Sequence, residues 1–216
     1  SAPLPELFRN HWGKVIQGAL IFAAQQATGY LVIAFFGAYA QKTLGYPATV
    51  AWTGTLVAGI CWTIFMFIAG AWSDRIGRAK TFIIGYVVIM IWEAVMWSIL
   101  DQGPFLYIMT VAVLTLPLAL TFGPQPAMYS EMFPAEVRYS GASIAYAIGA
   151  VLGGAFAPMI AQMIMDATGN PFYISVYLMA MAIPALIALF LLPKGLEDRD
   201  LIEHPETNLD EVKSRV

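Results

Sequence analysis

The chain has 216 residues, 59% of them apolar and 12% charged, with a mean hydropathy of +0.70 and a formal charge of −3. Soluble domains carry about 25% charged residues, so this composition excludes an ordinary water-soluble domain and points to an integral membrane protein. Half of the fourteen acids follow Pro193, so the net charge describes the tail more than the apolar body.

Residues 1–12 read as a polar leading segment with Pro3, Pro5, Arg9 and His11. A helix needs about 20 residues to cross roughly 30 Å of hydrocarbon. Six stretches meet that length: 13–40, 48–72, 81–100, 105–129, 141–165 and 172–192. Turn signals separate them, Gly45-Tyr46-Pro47 after the first and Asp101-Gln102-Gly103-Pro104 after the third. A basic loop follows the second, a polar loop over 130–140 the fourth, and a turn over 166–171 the fifth. Pro117, Pro124 and Pro126 fall inside the fourth stretch, and a charged tail occupies 193–216. The predicted fold is an all-α membrane domain of six transmembrane helices, residues 13–192, with both termini on one side.

The lysines and arginines test that topology. Arg9, Lys14, Arg75, Arg78, Lys80, Arg138, Lys194, Arg199, Lys213 and Arg215 fall on one side, and Lys42 alone on the other. By the positive-inside rule the crowded side is cytoplasmic, so both ends of this segment are expected there. Trp12, Trp52, Trp72 and Trp97 lie near span ends, as interface anchors should.

Polar residues within the spans are the candidate functional groups. Gln25 and Gln26 sit near the middle of the first span, with Tyr30 about a turn later. An unpartnered amide at that depth costs several kcal/mol, so these should face a partner helix or a wet cavity. Gln125 stands between Pro124 and Pro126, where the helix loses backbone hydrogen bonds, and reads as a ligand or a hinge. Tyr146 and Ser143 on the fifth span are weaker candidates. Gly149-x-x-x-Gly153 reads as close helix packing. Glu93, roughly 18 Å into the third span at 1.5 Å per residue, is a candidate proton relay because intramembrane carboxylates are functional suspects. Its rival reading is snorkelling or structural pairing. His11 and His204 have no metal-ligand neighbours, and Cys61 is a packing residue that can form no intrachain disulfide. No H-E-x-x-H, G-x-S-x-G or Walker loop occurs, so the expectation is no enzyme, no cofactor, no metal and no nucleic-acid partner.

The loop after the second span, Gly70-x-x-x-Asp74-Arg75-x-Gly77-Arg78-x-Lys80, resembles the loop signature of the major facilitator superfamily. Residues 131–141, from Glu131 through Arg138 to Gly141, resemble its second cytoplasmic signature. The extended pattern from Phe122-Gly123-Pro124-Gln125 to Ala157-Pro158 is similar to the metabolite–proton symporter branch, which carries small carboxylates and zwitterionic osmolytes in bacteria. The resemblance implies the C-terminal half of a twelve-helix fold built from 3+3 inverted repeats, an alternating-access proton symporter whose other six spans are missing. The partners so implied are a small solute, protons, an N-terminal six-span half and the bilayer. A six-span scaffold, or a homodimer that rebuilds twelve spans, is the alternative. Gln25-Gln26-x-x-Gly29 is similar to the Gln-Gln-x-x-Gly run that lines the substrate site of the related sugar porters. Helical spacing then turns one of the two amides toward the cavity. The expected cytoplasmic gate is an ion-pair network of Asp74, Arg78, Glu131 and Arg138, with Arg75 at the headgroups, Gly70 for close helix approach and Gly77 for a tight turn. The resemblance also puts the third helix, and with it Glu93, at the lipid-facing periphery.

Overall fold

Backbone polar groups in hydrocarbon must pair within their own segment, which leaves the helix as the form for apolar runs of this length. The computed structural model describes residues 3–193, and every regular element among them is helical. A short helix, α1 (Pro3–Asn10), precedes six long ones: α2 (Trp12–Lys42), α3 (Ala48–Ile76), α4 (Arg78–Val95), α5 (Pro104–Met132), α6 (Arg138–Thr168) and α7 (Phe172–Phe190). One further turn, Trp97–Leu100, extends α4 beyond Met96. Helix α5 breaks at Gly123 and Pro124, and α2 and α6 each contain a wide π turn, at Leu31–Phe35 and Ala150–Ala155.

Five of these helices are long and apolar enough to cross a membrane. The exception is α4, whose 18 residues include Arg78, Lys80 and Glu93. Other differences from the sequence reading are local. The polar leading segment forms α1, which packs on α6 and buries Leu7 completely. The loop expected over 130–140 shrinks to 133–137, because α5 runs to Met132 and Arg138 opens α6. Trp97 is no interface anchor: it is buried and donates its indole N–H to Ser175 Oγ at 2.7 Å. The charged tail and His204 lie outside the described residues.

The centre of the bundle is α2, whose apolar window is 78% buried against 17% for that of α3. Burial of apolar groups does little to join helices already in lipid, so close packing of small residues must do it. On α2 those residues are Gly18, Ala19, Ala23, Ala24 and Ala27, all buried. Helix α6 answers with Ala145, Gly149 and Gly153, and a Cβ on Gly153 would lie 1.8 Å from the Ala23 carbonyl oxygen. Helix α5 packs on α3 and α4, α7 on α2 and α4. This leaves Trp52, Leu56, Ile60, Ile64 and Phe67 of α3 on an exposed apolar face.

Candidate functional site: a basic hinge and a buried amide layer

Gly77 separates α3 from α4 at φ +102°, a conformation a side chain would strain. The sharp turn returns Arg78 onto the last turn of α3. There it pairs with Asp74 and donates to Ser73 Oγ at 2.6 Å, while Ser73 donates to the Gly70 carbonyl at 2.7 Å. The Arg78 Nε also reaches Glu131 Oε1 of α5 at 3.4 Å. Side-chain exposures of 18% for Arg78 and 13% for Glu131, against 62% for Asp74, make the Arg78–Glu131 contact the drier of the two. Arg75 and Lys80 are exposed. Arg138 donates to the Phe133 carbonyl at 3.4 Å at the start of α6.

Gly70 does lie against α5, but the tighter partner is Gly123. A Cβ there would meet the Met66 carbonyl at 2.6 Å, while one at Gly70 would find ordinary contact at 3.5 Å. The glycine at 123 lets α5 press on α3 and brings Glu131 to Arg78.

Near the middle of α2, Gln25 Nε2 donates to Gln125 Oε1 at 2.6 Å. Gln125 opens the helical segment that restarts after Pro124, and both amides are buried. Gln26 is buried as well, on the side of Gly154, so neither member of the pair opens to an exposed cavity in this conformation. Four polar atoms of this layer are buried without a partner among the described residues: Gln25 Oε1, Gln26 Nε2, Trp62 Nε1 and the Tyr129 hydroxyl. Trp62 explains Gly29, because its indole edge lies 3.0 Å from where a Cβ would stand. Tyr30 and Tyr146 are 42% and 45% exposed. The Tyr30 ring packs over Gly154, about two turns along α6 from Tyr146.

Helix α4 holds this part of α2 from the other side. The Tyr86 hydroxyl accepts from the Gln25 N–H at 3.1 Å and donates to the Ile21 carbonyl, bridging two backbone groups that are natural partners within α2. Seven residues on, Glu93 Oε1 accepts from Thr28 Oγ1 at 3.1 Å. Tyr86, Ile89 and Glu93 form one fully covered stripe, which corrects the lipid-facing position and the snorkelling expected for Glu93. Sequence reasoning missed Tyr86, Trp62 and Tyr129. The available signal for Tyr86 was its spacing of seven from Glu93, two polar groups on one face of an apolar helix. Among the described residues no group of three His, Cys, Asp or Glu side chains could hold a metal ion.

The sequence profile of the family described as "Sugar (and other) transporter" matches residues 1–204. Similar proteins include a putative metabolite transport protein of Haemophilus influenzae, 31% identical over 94% of this chain and 49% of its own length. The shikimate transporter of Escherichia coli is 31% identical over 82% of this chain and 41% of its own. A citrate-proton symporter of Klebsiella pneumoniae is 28% identical over 74% of this chain and 36% of its own. The chain therefore spans about half the length of the curated relatives it matches.

Proposed function

The chain belongs to the sugar (and other) transporter family of the major facilitator superfamily, and on that premise we propose that it is the C-terminal six-span half of a proton symporter for a small carboxylate or zwitterionic osmolyte. The observation that carries this reading is the Gln25–Gln125 hydrogen bond. It joins two helices in the apolar interior, beside a proline break and a set of unpartnered polar atoms. A solute that replaces this bond, and supplies partners to Gln26 and Trp62, recovers the desolvation cost of about 1–3 kcal/mol per unsatisfied group. Tyr30 and Tyr146, on the more exposed side of α2 and α6, line its approach.

No Arg, Lys or His lies at this level among the described residues; all sit near helix ends. A carboxylate substrate therefore takes its countercharge from the other half. The packing supports a 3+3 inverted repeat. Exchanging α2, α3, α4 for α5, α6, α7 carries the α3–α5 contact onto α6–α2 and α4–α5 onto α7–α2, and leaves α4–α7 in place. In this reading α4 is the sixth span, the basic end is cytoplasmic, and the membrane is the inner one. The Asp74–Arg78–Glu131 cluster, with Arg138 at the adjoining loop, acts as a gate that latches to the other half. The more exposed Arg78–Asp74 pair contributes about 0–1 kcal/mol, a strength suited to two states a few kcal/mol apart.

The test is uptake by the full-length transporter in proteoliposomes with an alkaline lumen, offered labelled citrate, shikimate, proline and glycine betaine. Uptake of at least one above equilibrium, abolished by a protonophore, is the expected result. Intact protein that accumulates none of the four under a proton gradient overturns the assignment.

A further inference from the structure

We propose that Glu93 is the proton-binding group of this half and that Thr28 ties its occupancy to the Gln25–Gln125 pair through α2. The proposal rests on the symport reading above, and deepens it by naming the group that carries the proton.

The Glu93 side chain is completely buried; Oε1 accepts from Thr28, and Oε2 has no partner among the described residues. Among those residues no ion pair reaches it. The side chains bonded to this residue are hydroxyls, one at its carboxyl and one at its backbone carbonyl. Helix α2 presents Thr28, and α7 presents Ser175, which donates to the Glu93 carbonyl at 2.6 Å and accepts from Trp97. The titratable side chains that the packed helices carry toward this end are the phenols Tyr30 and Tyr39 and the exposed Lys42 on α2, Tyr107 on α5, and Tyr173 and Tyr177 on α7. Helix α3 brings only Cys61 near mid-length, and Asp101 is exposed in the turn after α4. The charged residues Asp74, Arg78 and Glu131 stand at the far end of α4, roughly 22 Å away at 1.5 Å per residue. A carboxyl group in such surroundings has a role that no neighbouring cation explains. A purely structural acceptor for Thr28 would be served as well by an amide.

The coupling follows from positions on α2. Thr28 and Gln25 are three residues apart and so neighbours on one helix face, and α4 grips α2 at both through Glu93 and Tyr86. The wide turn at Leu31–Phe35 begins three residues beyond Thr28, where α2 can adjust without losing its bonds. A proton from the open compartment adds to Oε2 while Oε1 keeps the Thr28 hydroxyl, and the same proton leaves to the other side when the carrier has turned over. One proton enters and one leaves, with no other bond changed.

The experiment compares Glu93→Gln with wild type in proteoliposomes of the full-length transporter, using whichever of citrate, shikimate, proline or glycine betaine the wild type takes up. Glu93→Gln is expected to keep counterflow within about threefold of wild type, yet to lose gradient-driven accumulation and its pH dependence. Retained accumulation with a wild-type pH profile overturns the proposal. Should the glutamine variant lose counterflow too, Thr28→Val decides, since it keeps the acid and removes its donor. The expected result is a displaced pH midpoint of uptake, and an unmoved midpoint overturns the proposal. A wild type that transports without a proton requirement defeats the symport reading itself, a result distinguishable from the failure of Glu93 alone.

Discussion

Replacing Gln125 by leucine removes the acceptor of the 2.6 Å bond from Gln25 and leaves that amide buried with no partner in place of its one bond. The single change should lower stability by about 1–2 kcal/mol, whereas adding Gln25→Leu should restore most of it, because two apolar groups need no partners. Transport should be lost in both. Thermal unfolding in detergent beside uptake separates the two effects. Arg78 supports a second prediction at this scale. Its guanidinium serves Ser73, Asp74 and Glu131 together, while Arg75 is exposed. Arg78→Ala should reduce uptake more than tenfold and Arg75→Ala less than threefold, measured at equal amounts of protein in the membrane. Equal rates in wild type and Arg78→Ala would remove the gate.

The elements meet where glycines and alanines let backbones touch. A methyl group at Gly153 would fall 1.8 Å from the Ala23 carbonyl, and that obstacle is backbone, which cannot rotate away. Gly153→Ala must therefore push α6 from α2, at a cost at or above the 1–3 kcal/mol typical of about one methyl too many in a packed core. Gly59→Ala is the control: nothing lies within 4 Å of its added methyl on α3. There the better helix propensity of alanine should make the change neutral or stabilising by up to about 1 kcal/mol. The midpoints of thermal aggregation for the two variants in the same detergent check the contrast.

For the molecule as a whole, the consequence of the α3 face is partnership. Trp52, Leu56, Ile60, Ile64 and Phe67 are exposed together on a helix whose apolar window is 17% buried. In the proposed reading this face meets the complementary six spans. Co-expression with that half should give transport, and the 216-residue chain alone should give none. Activity of the purified chain by itself would favour a homodimer instead. Topology is tested at the same scale. In a background without Cys61, a cysteine at Lys80 should react with a membrane-impermeant maleimide only in inside-out vesicles, and one at Lys42 only in right-side-out cells. The reverse pattern would invert the bundle.

Helices, spans and signature turns were legible because hydrocarbon permits few backbone solutions and because Gly77 and its neighbouring charges act locally. The amides of Gln25 and Gln125 were visible as expensive groups at depth, yet their hydrogen bond joins residues a hundred positions apart. Helical periodicity turns a side chain about its own axis and says nothing of which neighbour waits there. Glu93 illustrates the limit: its burial is decided by α2 and α7 closing over one stripe of α4, and the slot that Gly29 leaves for Trp62 is decided by α3 meeting α2. Local chemistry wrote the helices and the basic rim into the chain, whereas only packing between distant segments chose which polar groups met and which were sealed from lipid.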